Sequence, residues 1–261
     1  MTGGRHRMTV AAADVPGEDQ AFPTPGALVR TEAPSPPPDL LAREAHPRVI
    51  RWTHWLNVPI LAVMMWSGLR IYWANDVYAA GVGSWEVFAF FPDGFYSALG
   101  LERRLAKGIA FHLNTGWLFV LNGVFYVAYL ARSGQWRHLV PDRYDARDAV
   151  DVVLHDVHLR ADAPPHGRYN AAQKIAYTGV VLLAFLIVGT GFAIYKPTQL
   201  SLLTGLFGGY ETARLIHFWT TIAFSAFVVL HLVQVARSGL GNLMSMVTGF
   251  EYSAVPEERR P

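Results

Sequence analysis

Four long stretches without charged residues dominate the hydrophobic pattern of the chain. They cover residues 52–69, 108–131, 175–195 and 215–235. A bilayer core about 30 Å thick is crossed by roughly 20 helical residues, so each stretch is close to the length of one crossing. The pattern therefore predicts an all-α integral membrane protein, a bundle of four transmembrane helices.

The segments around these stretches have a different character. Residues 1–45 hold seven of the sixteen prolines and no sustained apolar period, which predicts a disordered, proline-rich tail. This tail also lacks the apolar core of a secretory signal. Residues 46–250 are predicted to form the transmembrane domain, and residues 251–261 a short C-terminal tail.

Between the first two spans, the aromatic stretch 85–96 is too short to cross a bilayer and predicts an interfacial or re-entrant piece. The loop 132–174 predicts a short amphipathic helix on the membrane surface.

The distribution of lysine and arginine predicts the orientation. Sixteen of the 22 basic residues lie in the two tails and in the loop between the second and third spans, and six lie in the other two connections. By the positive-inside rule, both termini and the long loop face the cytoplasm. We therefore expect a multi-pass protein of the bacterial inner membrane, surrounded by lipid. The formal net charge of +2, with scattered basic residues, gives no indication of nucleic-acid binding.

The chain contains no cysteine. This excludes disulfides, thiolate zinc sites, iron–sulfur clusters held by this chain and covalently attached haem. Any redox chemistry must use a cofactor held by other ligands.

Four histidines lie inside the apolar stretches, where an ionisable side chain is costly and usually has a function. His217 and His231 are fourteen residues apart, which is within about 40° of four full helical turns and about 21 Å along the axis. They therefore share one helix face at opposite depths. His112 matches the outer depth and His54 the inner depth, so the sequence predicts two bis-histidine sites of the kind that two b-type haems require. A hydrogen bond to a neighbouring helix is the alternative role for any one of these histidines.

Five glycines in the spans leave room for flat macrocycles or for close helix packing, and both interpretations stay open: Gly68, Gly116, Gly179, Gly189 and Gly191.

Several motifs accompany the histidines: Arg51-Trp-Thr-His54-Trp55, Gly108-Ile-Ala-Phe-His112, Gly167-Arg-Tyr169-Asn170-Ala-Ala-Gln173-Lys174, Thr190-Gly191, and the His217-x13-His231 spacing. With these motifs the sequence, over about residues 46–250, resembles the four-helix di-haem cytochrome b subunits of bacterial respiratory oxidoreductases. Members of that family serve formate dehydrogenase, as its gamma subunit, thiosulfate reductase and hydrogenase.

The resemblance implies roles for further residues. It implies two haem b groups with the pairing given above, and a quinone, menaquinone or ubiquinone, bound beside Asn170 and Gln173 near the inner haem. An amide pair suits the carbonyl of a quinone, although Asn170 is equally suited to cap the helix that follows. Arg51 and Arg214, at helix ends, are candidate partners of haem propionates, and snorkelling at the interface is the alternative.

The expected function is electron transfer between a periplasmic oxidoreductase partner and the membrane quinone pool. The partner would be a molybdenum enzyme, an iron–sulfur subunit or a hydrogenase. A self-contained haem b quinol oxidase or transmembrane reductase is one alternative. A haem-free proton-coupled transporter or membrane anchor, with histidines that relay protons, is the other.

Overall fold

The structure is a computed structural model that describes six segments of the chain: residues 40–74, 78–82, 85–101, 103–156, 158–162 and 169–254. Most of the predicted proline-rich tail and residues 255–261 lie outside the described residues.

Helices make up most of the described chain, with four short strands. In chain order the elements are β1 (Leu40–Glu44), α1 (Arg48–Tyr72), β2 (Ala79–Val82), β3 (Trp85–Ala89), α2 (Asp93–Ala98), α3 (Leu105–Ser133), a 3-10 turn (Gln135–His138), α4 (Asp145–Asp156), α5 (Ala171–Tyr195), α6 (Ser201–Leu206), α7 (Tyr210–Ser238), α8 (Leu240–Thr248) and β4 (Phe250–Ala254). The four predicted spans lie within α1, α3, α5 and α7.

Three of the long helices, α3, α5 and α7, are long and apolar enough to cross a membrane, judged by length and composition. The remaining long helix, α1, has 25 residues, but His54, Asn57 and Pro59 interrupt its apolar run. A mostly helical membrane protein fits this structure. The crossing of the membrane by α1 stays a prediction.

The long helices pack as two pairs, α1 with α3 and α5 with α7. The first pair packs tightly at Gly108, where an added Cβ would lie 2.9 Å from the Cβ of Arg70. Between the pairs, contacts run through large side chains, such as the edge-on rings of Trp117 and Phe192, with centroids 5.5 Å apart. The bundle therefore keeps space between its two helix pairs.

The prediction that residues 1–45 are disordered is wrong at its end, because β1 forms an antiparallel ladder with β4. The register runs from Leu40 opposite Ala254 to Glu44 opposite Phe250. The prolines of the tail stop at Pro38, so β1 can donate and accept hydrogen bonds along its whole length. The predicted C-terminal tail likewise begins inside β4.

The connection between α1 and α3 also contains two short strands within the mostly helical structure. β2 and β3 pair antiparallel, with an irregularity between Ala80 and Gly81. The segment 85–89 is rich in aromatic and β-branched residues, which favour a strand. The predicted interfacial piece is therefore a hairpin followed by the short helix α2.

This outer connection lies against the ends of α1 and α7. The hydroxyl of Tyr96, on α2, donates to the carbonyl of Leu69 over 2.8 Å. Burial raises the pKa of Tyr96 to about 12, so the hydroxyl remains a donor at neutral pH. Phe90 packs edge-on against Phe218 and Trp219 of α7, with ring centroids 5.2 and 5.4 Å apart. An aromatic layer thus covers the outer end of the bundle beside His217.

The predicted amphipathic helix of the inner loop corresponds to α4. It is held to α5 by the Nζ of Lys174, 3.0 Å from Oδ2 of Asp145, and Val152 is buried. Val150 and Val153 are more than half exposed. Their contact with a membrane surface stays a prediction.

Candidate functional site

The structure brings the four histidines of the predicted spans together as two facing pairs. His112 on α3 and His217 on α7 have ring centroids 6.4 Å apart, with ring planes 68° apart. His54 on α1 and His231 on α7 have centroids 6.0 Å apart, with planes 66° apart. We call these the outer pair and the inner pair.

Both separations fit a metal ion held between two imidazoles. Imidazole nitrogen binds a metal at about 2.0–2.1 Å, and the ring centre lies about 1.1 Å behind that nitrogen, so a shared ion places two ring centres about 6 Å apart. Among the described residues, no cluster of three or more histidine, aspartate or glutamate side chains could hold a metal ion. Two imidazoles are too few for a bare ion, but they suit haem, whose macrocycle supplies four nitrogens and leaves two axial positions.

The outer pair is held by buried hydroxyl groups from the two other long helices. Nδ1 of His112 lies 3.0 Å from the hydroxyl of Ser67 on α1. Nδ1 of His217 lies 3.0 Å from the hydroxyl of Thr190 on α5. Ser67 and Thr190 are completely buried. All four long helices therefore contribute to the outer site.

Glycines follow both hydroxyl residues and lie beside the imidazoles. A Cβ on Gly68 would lie 3.6 Å from Cε1 of His112, and one on Gly191 would lie 3.5 Å from Cε1 of His217. These are ordinary contacts, so the glycines leave open space beside both rings. A Cβ on Gly189, in contrast, would crowd the ring of Phe207 at 3.1 Å. Gly189 therefore serves helix packing.

The inner pair has different surroundings. Nδ1 of His54 is buried and has no hydrogen-bond partner among the described residues. His231 stacks on Phe227, one turn before it on α7, with centroids 6.0 Å apart and planes 9° apart. The edge of Trp55 also packs against His54. Aromatic contacts, in place of hydroxyl groups, surround this pair.

Both arginines that were candidates for propionate binding have protein partners. Nη1 of Arg51 donates to the carbonyl of Thr248 over 2.7 Å, at the C-terminal end of α8. Its Nε is buried without a hydrogen-bond partner in the described part of the chain. Nη1 of Arg214 donates to Glu211 over 2.7 Å. A role with propionates stays a prediction for both residues.

Asn170 and Gln173 form a reciprocal cap at the start of α5. The backbone N–H of Gln173 donates to Oδ1 of Asn170 over 2.8 Å, and that of Asn170 donates to Oε1 of Gln173 over 3.0 Å. The structure thus shows the capping role that was the alternative to quinone binding. The rings of Tyr169 and Tyr177 meet edge-on beside the cap, with centroids 5.3 Å apart. Quinone binding here stays a prediction.

Sequence reasoning missed the supporting residues Ser67 and Asn122, and it gave Thr190 no role. Asn122 of α3 is buried and donates to the carbonyl of Thr53 over 2.9 Å and to Oδ1 of Asn57 over 2.8 Å. It ties α3 to α1 one residue before His54. The available signal was a polar residue inside an apolar stretch, at a depth that matches a histidine on another helix.

Comparisons with known proteins bear on the class of protein to which the chain belongs. The model of the family described as prokaryotic cytochrome b561 matches residues 45–249. The chain is also 31% identical over 192 residues to the putative protein-methionine-sulfoxide reductase subunit YedZ1 of Azospira oryzae. That alignment covers 73% of this chain and 89% of the relative.

Proposed function

The chain belongs to the prokaryotic cytochrome b561 family, whose members are haem b proteins of the membrane, and from this premise we propose that it is the di-haem electron-transfer subunit of an oxidoreductase. Membership of this family supports the cytochrome b part of the resemblance. The narrower assignment, to the formate dehydrogenase gamma, thiosulfate reductase or hydrogenase type, belongs to the proposal.

One observation supports two haems: imidazoles face each other at two depths of the bundle, at about 6 Å, and α7 contributes to both pairs. His112 and His217 would hold the outer haem, and His54 and His231 the inner haem. When bound, two b haems supply one-electron transfer between the two sides of the membrane. The space between the helix pairs gives such groups a place in the bundle.

The chain has no cysteine, so any iron–sulfur cluster on the proposed electron path would be held by another subunit. We propose a periplasmic oxidoreductase partner, a molybdenum enzyme, an iron–sulfur subunit or a hydrogenase. The relative from Azospira oryzae is named as a subunit of a protein-methionine-sulfoxide reductase, which supports a partner of the oxidoreductase class.

On the inner side we propose that menaquinone or ubiquinone binds near Asn170 and Gln173. Each amide oxygen accepts one hydrogen bond from the backbone, and the NH2 group of each side chain is a donor that the cap does not use. An NH2 group donates to a carbonyl oxygen, which a quinone presents. The cap therefore leaves NH2 donors that suit the carbonyl oxygens of a quinone.

The protein is an integral membrane protein, and we propose that α1, α3, α5 and α7 all cross the bacterial inner membrane with both termini in the cytoplasm. α1 supports this count because it packs along α3 and contributes His54 to the inner pair. Lipid would cover the many large apolar residues that the long helices expose.

The test is a haem count on the full chain, purified in detergent from haem-replete cells. We expect two b haems per chain from a dithionite-reduced minus oxidised spectrum and from the pyridine derivative. His54→Ala and His231→Ala should each remove the same haem, and His112→Ala and His217→Ala the other.

His138→Ala is the matched control, because His138 is exposed in the turn after α3. A haem count of one, or loss of both haems from the control, would contradict the proposal. A protein without haem would favour a proton-coupled transporter or membrane anchor.

A further inference from the structure

The hydrogen bonds at the outer pair differ from those at the inner pair, and the difference bears on the relative reduction potentials of the two sites. We propose that Ser67 and Thr190 are positioning residues that fix the protonation of the outer imidazoles and lower the reduction potential of the outer haem relative to the inner haem. This inference rests on the proposed function.

The hydroxyl of Ser67 has one proton and lies within hydrogen-bond distance of two groups. It donates to the carbonyl of Met64, one turn earlier on α1, over 3.1 Å. A serine hydroxyl has a single proton, so it meets Nδ1 of His112 with an oxygen lone pair. We therefore assign the proton of this hydrogen bond to Nδ1 of His112, which leaves the lone pair of Nε2 for a metal.

Thr190 repeats the arrangement on α5. Its hydroxyl donates to the carbonyl of Leu186 over 2.7 Å and accepts from Nδ1 of His217 over 3.0 Å. Because both hydroxyl residues are completely buried, water does not compete for these bonds. The two outer imidazoles are thus fixed in the same tautomer by hydroxyl groups on two different helices.

A hydrogen bond at Nδ1 of an imidazole changes how strongly its Nε2 donates electrons to a metal. An imidazole that donates through Nδ1 becomes a stronger electron donor through Nε2. A stronger donor stabilises the oxidised iron more than the reduced iron, which lowers the reduction potential. At the inner pair, Nδ1 of His54 has no hydrogen-bond partner among the described residues, and His231 stacks on Phe227. This effect therefore acts on the outer site.

A difference in potential between the two sites affects electron transfer within the bundle. An electron moves spontaneously from the site of lower potential to the site of higher potential. The offset therefore favours the step from the outer site to the inner site.

The experiment is a potentiometric titration of the full-length protein with both haems bound. In Ser67→Ala and Thr190→Val, we expect the ratio of reduced to oxidised outer haem at fixed ambient potential to rise about threefold, or roughly 28 mV for one electron. The inner haem should not shift. Ser67→Thr and Thr190→Ser keep a hydroxyl and should restore the wild-type potential.

Thr220→Val is the matched control. Thr220 is a buried residue of α7 whose hydroxyl donates to the carbonyl of Ile216 over 2.7 Å, and this bond involves no imidazole. We expect no shift in this variant. An equal shift in the control would overturn the inference.

Single-haem variants assign the potentials and separate the possible failures. His231→Ala keeps the outer haem and His217→Ala the inner haem, and we expect the lower potential in His231→Ala. A higher outer potential, or unchanged potentials in the hydroxyl variants with both haems bound, overturns the inference and leaves the proposed function standing. A wild-type protein without haem overturns both.

Discussion

At the scale of the residue, the histidines were predictable and the groups that hold them were not. Histidines stand out in apolar stretches, and helical arithmetic alone places His217 and His231 on one face. The pairing of Ser67 with His112 depends instead on how α1 lies against α3, which hydropathy does not encode. Asn170 had two predicted roles, and only the capping role is visible in the folded chain.

Asn122 offers a test of the buried polar link between α3 and α1. We expect Asn122→Ala to lower the free energy of unfolding by about 0.6–1.7 kcal/mol, because two hydrogen bonds to α1 are lost. Circular dichroism during denaturation in detergent measures this change. Asn114→Ala removes an exposed amide from the same helix and should be nearly neutral. Equal losses in the two variants would show that the link contributes nothing.

At the scale of the element, the long helices follow from their uncharged stretches, and the strands do not. β1 pairs with a segment some 200 residues away, so its five residues carry no local sign of a partner. The helix α4 was predictable because it begins with aspartates that favour a helix N-terminus. The approach of α1 to α3 at Gly108 had only the glycine itself as a signal.

Gly108 tests that approach. Gly108→Ala adds a Cβ only 2.9 Å from that of Arg70, so the helices must move apart, and we expect a destabilisation of about 1–3 kcal/mol. Thermal unfolding in detergent is the measurement. Gly123→Ala, on the same helix, has no atom within 4 Å of the new Cβ and should be neutral or slightly stabilising. A neutral Gly108→Ala would rule out tight packing of α1 on α3 at this point.

The attachment of α4 to α5 should depend on pH. The backbone N–H of Asp142, with Lys174 as the second contribution, lowers the pKa of Asp145 below its usual value of about 3.9. The folded state thus favours the carboxylate, and its contribution to stability is complete above about pH 4. It is lost as the pH falls through the lowered pKa.

Hydrogen exchange of α4 in acidic buffers checks this expectation. Asp145→Asn should remove the acid-dependent part of the protection. Asp148→Asn is the control, since Asp148 forms no ion pair in the described structure. Protection that falls identically with pH in wild type and Asp145→Asn would assign the effect to other groups.

At the scale of the whole molecule, the cytochrome b class could be recognised from the motifs, because residues 46–250 carry them in the expected order. The narrower type within that class stays a prediction. The partner could not be recognised, because the surface that selects it is not marked by any cofactor ligand in this chain. The predicted orientation of the protein in the membrane rests only on the distribution of lysine and arginine along the chain.

Reporter fusions test the orientation. We expect a cytoplasmic reporter to be active when fused after residue 254 or inside the loop before α5, and a periplasmic reporter to be active between α1 and α3. The sixteen basic residues on the predicted inner side are the physical reason. A reporter inserted between α5 and α7 should match the α1–α3 insertion, and a mismatch would contradict the four-helix topology.

The ladder between β1 and β4 also acts as a parity constraint. Two strands can share hydrogen bonds only if they lie in the same aqueous compartment, so the chain between Glu44 and Phe250 must cross the bilayer an even number of times. Three crossings, by α3, α5 and α7, would separate the strands. A fourth crossing by α1, about 37 Å long, restores the even number. In a protein with four spans, removal of one span would leave the two strands on opposite sides of the membrane, so the ladder could not form.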